Sequence, residues 1–259
     1  MNNKIPCIVL IFYNFDIIKK SLEFLGEYSK QLEIYVIENP SIHTESKIKP
    51  YILDLINKKI VSKYVLFSKN ISNNAIEVFF KNQLVKQLEQ YKYILFTDGD
   101  VIVKNNDFLS EEIHILDYHP EVFACGVTIN LDNLPLENYP TANSWIPPIV
   151  KEYSLFNEGV TGAQLLLFRT KDFLQYLEYI KLNNLKFVDG TMHTFCYDIL
   201  NKKWARTKKS ECIHLTWDIY SDKNHSYHKW KSRYSFHDIW YHNDYCSFQV
   251  FTKNSLAKE

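Results

Sequence analysis

The chain has 259 residues and carries 30 Lys plus Arg against 30 Asp plus Glu, a formal net charge of zero. That balance supplies no global field for a polyanion and argues against a nucleic-acid partner. With 46% hydrophobic residues the chain can build the core of one large domain or two small ones, and its 18 Tyr and 17 Phe are numerous enough to line a binding surface as well.

Residues 5–12 read as a buried strand, and Asp16 then caps a helical pattern carrying Ile17, Leu22, Leu25 and Tyr28. A second strand is expected over 32–37, closed by Glu38-Asn39-Pro40, followed by a short helix over 50–56. A third strand over 60–67 runs into a polar turn at 68–74. Helical periodicity returns over 75–90 and leads to a strand ending at Asp98. Alternating strands and helices with short connections imply right-handed crossovers and a mostly parallel sheet. The second half is less regular. A helix over 107–117, a strand over 122–129, a strand over 163–168 and an amphipathic helix over 171–182 are expected, then a helix over 190–204 and a short strand over 211–216. Between them, residues 131–159 form a long polar loop holding four of the eight prolines, a length more often functional than incidental.

Cys7, Cys125, Cys196, Cys212 and Cys246 are scattered and include no CxxC pair. Several sit in apolar runs, as buried thiols in a reducing compartment do. No apolar run approaches bilayer-spanning length and the first residues carry no signal-peptide pattern, so the expected location is cytoplasmic, with peripheral contact at the inner membrane face left open.

The most informative stretch is Tyr93-Ile94-Leu95-Phe96-Thr97-Asp98-Gly99-Asp100, an apolar run driven into two carboxylates two residues apart. A strand that ends so places both acids at a sheet edge, where ligands collect in α/β folds. Gly99 permits a sharp turn and a close approach to the backbone. Paired hard oxygens suit Mg²⁺ or Mn²⁺ shared with substrate phosphates. A lone Asp-Gly-Asp is more often a solvated turn, so its context decides.

That context resembles the GT-A glycosyltransferases, especially short family 2-like bacterial enzymes. The resemblance rests on residues 6–14 (PCIVLIFYN), Glu38-Asn39-Pro40-Ser41, Asn70 with Asn74-Ala75, and Thr97-Asp98-Gly99-Asp100, in that order. It covers residues 5–103, although the segment around Asn70 lacks a glycine often found there. What it implies is a single Rossmann-like GT-A domain with an irregular acceptor-side half: residues 1–103 bind the nucleotide-sugar, 104–216 supply acceptor and catalytic groups, and 217–259 form an aromatic, His-rich extension. Tyr13, Asn14, Glu38 and Asn70 would line the nucleoside pocket, Asp100 would bind the metal, and Asp98 would reach the ribose or the same metal. The implied reaction moves a sugar from a UDP- or GDP-sugar to a glycan or lipid-linked acceptor, in surface polysaccharide synthesis, with inversion favoured.

An inverting reaction needs a carboxylate to take the acceptor's proton. Asp189, after the apolar Phe187-Val188 and before a helical run, is the first candidate; an ordinary helix N-cap is the competing explanation. Asp198 is the second candidate and Glu158 the third. Gly162 and Gln164 resemble the small-residue turn that abuts the donor sugar, and His214 stands about where related enzymes place a metal-facing His. The tail interleaves His225, His228, His237 and His242 with Tyr227, Trp230, Tyr234, Phe236, Trp240 and Tyr241, rings suited to a sugar groove. Lys202, Lys203, Arg206, Lys208 and Lys209 form a basic cluster, read either as a phosphate- or membrane-facing patch or as a solvated face. The rival readings are a sugar-nucleotide pyrophosphorylase, whose Gly-rich turn is missing after the first strand, and a glycan-binding or scaffold protein on a degenerate transferase fold. A His-rich metallohydrolase lacks a ligand motif.

Overall fold

A computed structural model describes residues 4–82, 84–85, 87–104, 107–145, 148–220, 222–231 and 246–256. His237 and His242, with Tyr234, Phe236, Trp240 and Tyr241, lie outside the described residues.

The first strand, β1 (Ile5–Phe12), is almost entirely buried, as strands covered on both faces are. It leads into α1 (Phe15–Glu27), which buries Ile18, Leu22 and Leu25 at helical spacing. Next come β2 (Leu32–Asn39), α2 (Lys49–Asn57) with Pro50 in its first turn, and β3 (Val61–Phe67). Then follow α3 (Asn74–Lys81), β4 (Tyr93–Asp98), β5 (Val101–Val103), α4 (Phe108–Tyr118) and β6 (Val122–Ile129). The long loop carries a 3₁₀ turn at Pro140–Trp145 and a small hairpin, β7 (Lys151–Glu152) and β8 (Asn157–Glu158). The chain continues through β9 (Leu166–Arg169), α5 (Thr170–Leu182), α6 (Asp189–Thr194), β10 (Lys203–His214), α7 (Thr216–Tyr220), α8 (Ser226–Lys231), β11 (Phe248–Phe251) and α9 (Lys253–Leu256).

All the strands among the described residues join one sheet in the order β11-β3-β2-β1-β4-β9-β6-β10-β8-β7, with β5 beside β10. The run β3-β2-β1-β4 is parallel. β9 enters antiparallel between β4 and β6, and β11 caps β3 antiparallel. The expected α/β class and parallel core are therefore present, in a sheet that is mixed as a whole. One face packs against α1, α2 and α4 through Leu22, Ile52 and Phe108, the other against α3 and α5 through Phe79 and Phe173. Successive residues of β1 divide between the faces: Cys7 and Val9 on one, Ile8 on the other.

The chain runs from β1 outward to β2 and β3, then returns with β4 on the opposite side of β1. This reversal opens a crevice at the carboxyl ends of β1 and β4, the position where open α/β sheets take ligands.

Three sequence expectations need correction. The helix expected over 75–90 stops at Lys81, and the chain passes through a left-handed residue, Gln87 (φ 52°), before a 3₁₀ turn at Leu88–Gln90. The helix expected over 190–204 ends at Thr194 and tightens into a π turn, Phe195–Ile199. Asn201 (φ 48°) then reverses the chain, and β10 begins at Lys203, far ahead of the short strand expected over 211–216. The basic cluster consequently straddles a strand: Arg206 is buried, Lys202 pairs with Asp172 at 2.9 Å, and Lys203 pairs with Glu121 at 3.5 Å. The five cysteines are buried free thiols. Among the described residues no helix is long and apolar enough to cross a membrane.

Candidate active site at the sheet switch point

Three structural devices build the site. The first is the β4–β5 turn. Gly99 N–H donates to Leu10 O at 2.8 Å, pulling the turn onto β1. A Cβ at Gly99 would lie 2.3 Å from Ile11 Cγ2, so no larger residue fits there unless β1 moves. Gly99→Ala is accordingly expected to cost about 1–3 kcal/mol and to displace both carboxylates. Urea unfolding together with nucleotide binding checks this, and a variant with unchanged stability and binding contradicts it.

The second is the end of β10. Antiparallel pairing sets His214 opposite Val101, beside Asp100. Leu215 N–H donates to Asp100 O at 2.8 Å, and the Thr216 hydroxyl donates to Asp100 Oδ2 at 2.5 Å. His214 Nδ1 stands 3.6 Å from that same Oδ2, with its ring stacked on Trp217 at an 11° interplanar angle. Asp100 Oδ1 and His214 Nδ1 are both shielded from solvent and have no hydrogen-bond partner. Buried polar atoms are rarely left so, and two adjacent ones at a cavity wall are placed to receive a ligand.

The third is Asn39, at the end of β2. Its Nδ2 donates to Ser72 O at 3.1 Å, and its Oδ1 accepts from Ile71 N–H at 3.0 Å. Asn70 Oδ1 in turn accepts from Ser72 N–H at 2.9 Å, so the polar turn before α3 is pinned to the sheet edge.

These devices enclose a cavity of about 330 Å³. Asn14, Asn70, Asp98, Asp100, Gly162, Gln164, Asp189 and His214 are among the residues that line it. A Cβ on Gly162 would lie 2.7 Å from Gln164 Nε2, so the glycine gives the amide its place. Asp189 stands in the first turn of α6, half-buried, and desolvation pushes its carboxyl up to about 6.

Three expected site residues are not on this cavity. Tyr13, at φ 68° after β1, buries its ring among Phe12, Tyr227 and Trp230. Asp198 is exposed on the π turn after α6, because the helix that was to carry it ends first. Glu38 is fully buried, its carboxylate held by the Thr44 and Tyr64 hydroxyls, and its neighbour Asn39 faces the cavity instead. The third base candidate, Glu158, lies on β8, where it accepts from the Tyr153 hydroxyl at 3.1 Å. Tyr227 and Trp230, two of the tail rings expected to line a sugar groove, are on this cavity; the sequence reading gave no role there to Asn39, Ser72, Asn73, Thr216 or Tyr220. Two of these had a usable signal: Asn39 stands in the quoted Glu38-Asn39-Pro40-Ser41 motif, and Thr216 follows His214 by two residues.

Burial pushes the Glu38 carboxyl from 4.5 up to about 7, against the lowering effect of its two hydroxyl donors. Between those values the folded state keeps a proton that the unfolded state has released, so this residue's contribution to stability falls as the pH rises through that window. Raising the pH across it should shift the stability difference between wild type and Glu38→Gln by roughly 3 kcal/mol in favour of the variant. A pH series of urea unfolding measures the shift; a difference that stays constant with pH contradicts the assignment.

Among the described residues no three His, Cys, Asp or Glu side chains converge as a complete metal cage. The Asp100 and His214 atoms nevertheless fit a Mn²⁺ or Mg²⁺ ion that takes its remaining ligands from a phosphate substrate, since such ions commonly use only one or two protein carboxylates.

No family model matches the chain. It is 38% identical over 255 residues to uncharacterized protein L137 of Acanthamoeba polyphaga mimivirus, covering 98% of this chain and 35% of that protein. Uncharacterized protein L138 of the same virus is 38% identical over 258 residues, with 99% and 29% covered, and L142 is 39% identical over 250 residues, with 96% and 50% covered. The chain thus spans half or less of the length of these relatives. Among solved structures, the crystal structure of GalNAc-T7 with UDP, GalNAc and Mn²⁺ superposes with a TM-score of 0.53 at 12% identity, covering 83% of this chain and 44% of that one. A likeness to the glycosyltransferase GlyE of Streptococcus pneumoniae TIGR4 has a TM-score of 0.40 at 11% identity and carries no weight. The fold shown by the GalNAc-T7 match is the α/β fold of the GT-A glycosyltransferases.

Proposed function

We propose that this chain is a metal-dependent glycosyltransferase that moves a sugar from a nucleotide-sugar to a saccharide or lipid-linked acceptor. The observation that carries the proposal is the pair of partnerless atoms, Asp100 Oδ1 and His214 Nδ1, on the wall of the switch-point cavity that Asp189 also lines. The fold match to a protein crystallised with UDP, GalNAc and Mn²⁺ supports it.

The pinned turn at Asn70 and Ser72, together with Asn14, would present polar groups to the nucleoside. Asp98, Asp100 and His214 would hold Mn²⁺ or Mg²⁺ against the diphosphate; the ion supplies stabilisation of negative charge on the leaving group. Gly162 and Gln164 flank the donor sugar. Asp189, ionised above about pH 6, accepts the proton of the acceptor hydroxyl. The hydroxyl oxygen bonds to the anomeric carbon as the carbon–oxygen bond to the diphosphate breaks, and that bond's electron pair leaves with the diphosphate. Attack from the face opposite the leaving group inverts the anomeric centre. Synthesis of a surface polysaccharide at the cytoplasmic side of a membrane is the setting that suits such a reaction.

The test is release of nucleoside diphosphate from a panel of UDP- and GDP-sugars with Mn²⁺, with and without simple saccharide acceptors. Metal-dependent release from one donor, stimulated by an acceptor, is expected. Absence of release from every donor, in a folded protein that also binds neither nucleotide, overturns the proposal.

A further inference from the structure

A second cavity, of about 160 Å³, opens beside the first and shares Gly162, Gln164 and His214 with it. Its remaining walls are Arg206, Thr161, Ile129, Trp145 and Trp217. Arg206 is 6% exposed, and its Nη2 donates to Pro148 O at 2.8 Å. The guanidinium packs closely on Gly159, where a Cβ would sit 2.7 Å from Nη2. The position depends on Gly159, and Pro148 belongs to the long proline-bearing loop, so that loop has a structural role in aiming the side chain. Trp145 and Trp217 pack against each other, tilted by 33° with ring centroids 6.2 Å apart, and form one aromatic wall.

A buried guanidinium costs desolvation, and burial lowers the Arg206 pKa from its ordinary value. A planar fork of donors is the side chain best matched to a carboxylate or phosphate. Aromatic walls offer apolar faces to the C–H surface of a sugar ring. Thr161 and Gln164 can bond ring hydroxyls.

We infer that this second cavity is a subsite for one monosaccharide unit bearing an anionic substituent, a carboxylate or a phosphate, recognised by Arg206 beside the wall formed by Trp145 and Trp217. The inference deepens the glycosyltransferase proposal by naming the class of sugar that meets the reaction centre. The anionic unit can be supplied by the acceptor or by the donor's own sugar; both place the same chemistry beside Gly162 and Gln164.

The test reads binding rather than turnover. Methyl glucuronide, methyl galacturonide and glucose 1-phosphate are titrated against wild type and Arg206→Gln, each beside a neutral counterpart (methyl glucoside or methyl galactoside), with Mn²⁺ and nucleotide binding measured on the same samples. At least one anionic sugar should bind wild type about tenfold more tightly than its neutral counterpart, and Arg206→Gln should erase that preference while still binding nucleotide. Repeating the titration with UDP-glucuronate against UDP-glucose separates the sources: preference at the donor assigns the anion to the transferred sugar, and preference among free sugars alone assigns it to the acceptor. If wild type binds nucleotide but favours no anionic sugar by threefold in either arm, the subsite inference fails and the transferase proposal stands. If Arg206→Gln loses stability but keeps the preference, Arg206 only braces the Pro148 loop and the inference is overturned. Should that variant not fold, the wild-type preference alone decides. Loss of nucleotide binding by wild type counts against the transferase proposal instead.

Discussion

Asp189→Asn should lower kcat by about 10²–10⁴ and leave donor binding within about twofold of wild type. The reason is positional. Asp189 lines the reaction cavity from α6, on a different element from the turn that carries Asp98 and Asp100 and from His214 at the end of β10. Asparagine keeps the size and polarity of the side chain but cannot accept a proton. The pH profile supplies an independent check. Desolvation holds the carboxyl at about 6, so the active, ionised fraction falls as the pH drops through that value. Wild-type kcat should fall about tenfold for each unit below pH 6 and flatten above pH 7. A flat wild-type profile from pH 5 to 8, or a variant within about threefold of wild type, would move the base elsewhere. Asp198 is a poor replacement, since it is exposed beyond the end of α6.

For Asp100→Asn, the expected result is a loss of about 10³ in kcat/KM together with a rise of at least about tenfold in the dissociation constant for Mn²⁺. The amide can still accept from the Thr216 hydroxyl, which bonds Oδ2 in the wild type, so the link between the turn and the start of α7 should survive. What disappears is the negative charge beside His214 Nδ1. A loss of about 10³ corresponds to roughly 4 kcal/mol of transition-state stabilisation, a reasonable share for a group that secures the counter-charge of a leaving diphosphate. Steady-state kinetics over a Mn²⁺ series would measure both quantities. Unchanged metal dependence in a folded variant would remove Asp100 from the metal site.

The parts of the molecule that were legible in the sequence are those fixed by local pattern. β1, α1 and β6 announce themselves by unbroken or helix-spaced apolar residues, and Asp98-Gly99-Asp100 by two acids at a strand end. Long-range pairing was not legible. Nothing local in residues 203–210 tells a helix tail from a strand; the strand is selected by parallel pairing with β6, where Ala205 lies beside Cys125. The same limitation misplaced Glu38. Strand periodicity puts Glu38 and Asn39 on opposite faces, and only the position of Tyr64 and Thr44 decides which of the two meets the cavity. Arg206 was read with its Lys neighbours as one charged patch; Arg206 is buried where β10 still pairs in register with β6, whereas Lys208 and Lys209 are exposed where that register breaks before Glu211, a break no local pattern announces.

The most direct measurement of the central claim is thermal unfolding of the wild-type chain with UDP or GDP, each with and without Mn²⁺. A nucleotide at about one hundred times its dissociation constant stabilises by roughly 2.7 kcal/mol, which for a chain of this size raises Tm by about 5–10 °C. The structure predicts that one nucleotide produces this shift only when Mn²⁺ is present, and that neither component alone does. No shift with any combination at millimolar concentrations would contradict a metal-bridged nucleotide site at Asp100 and His214.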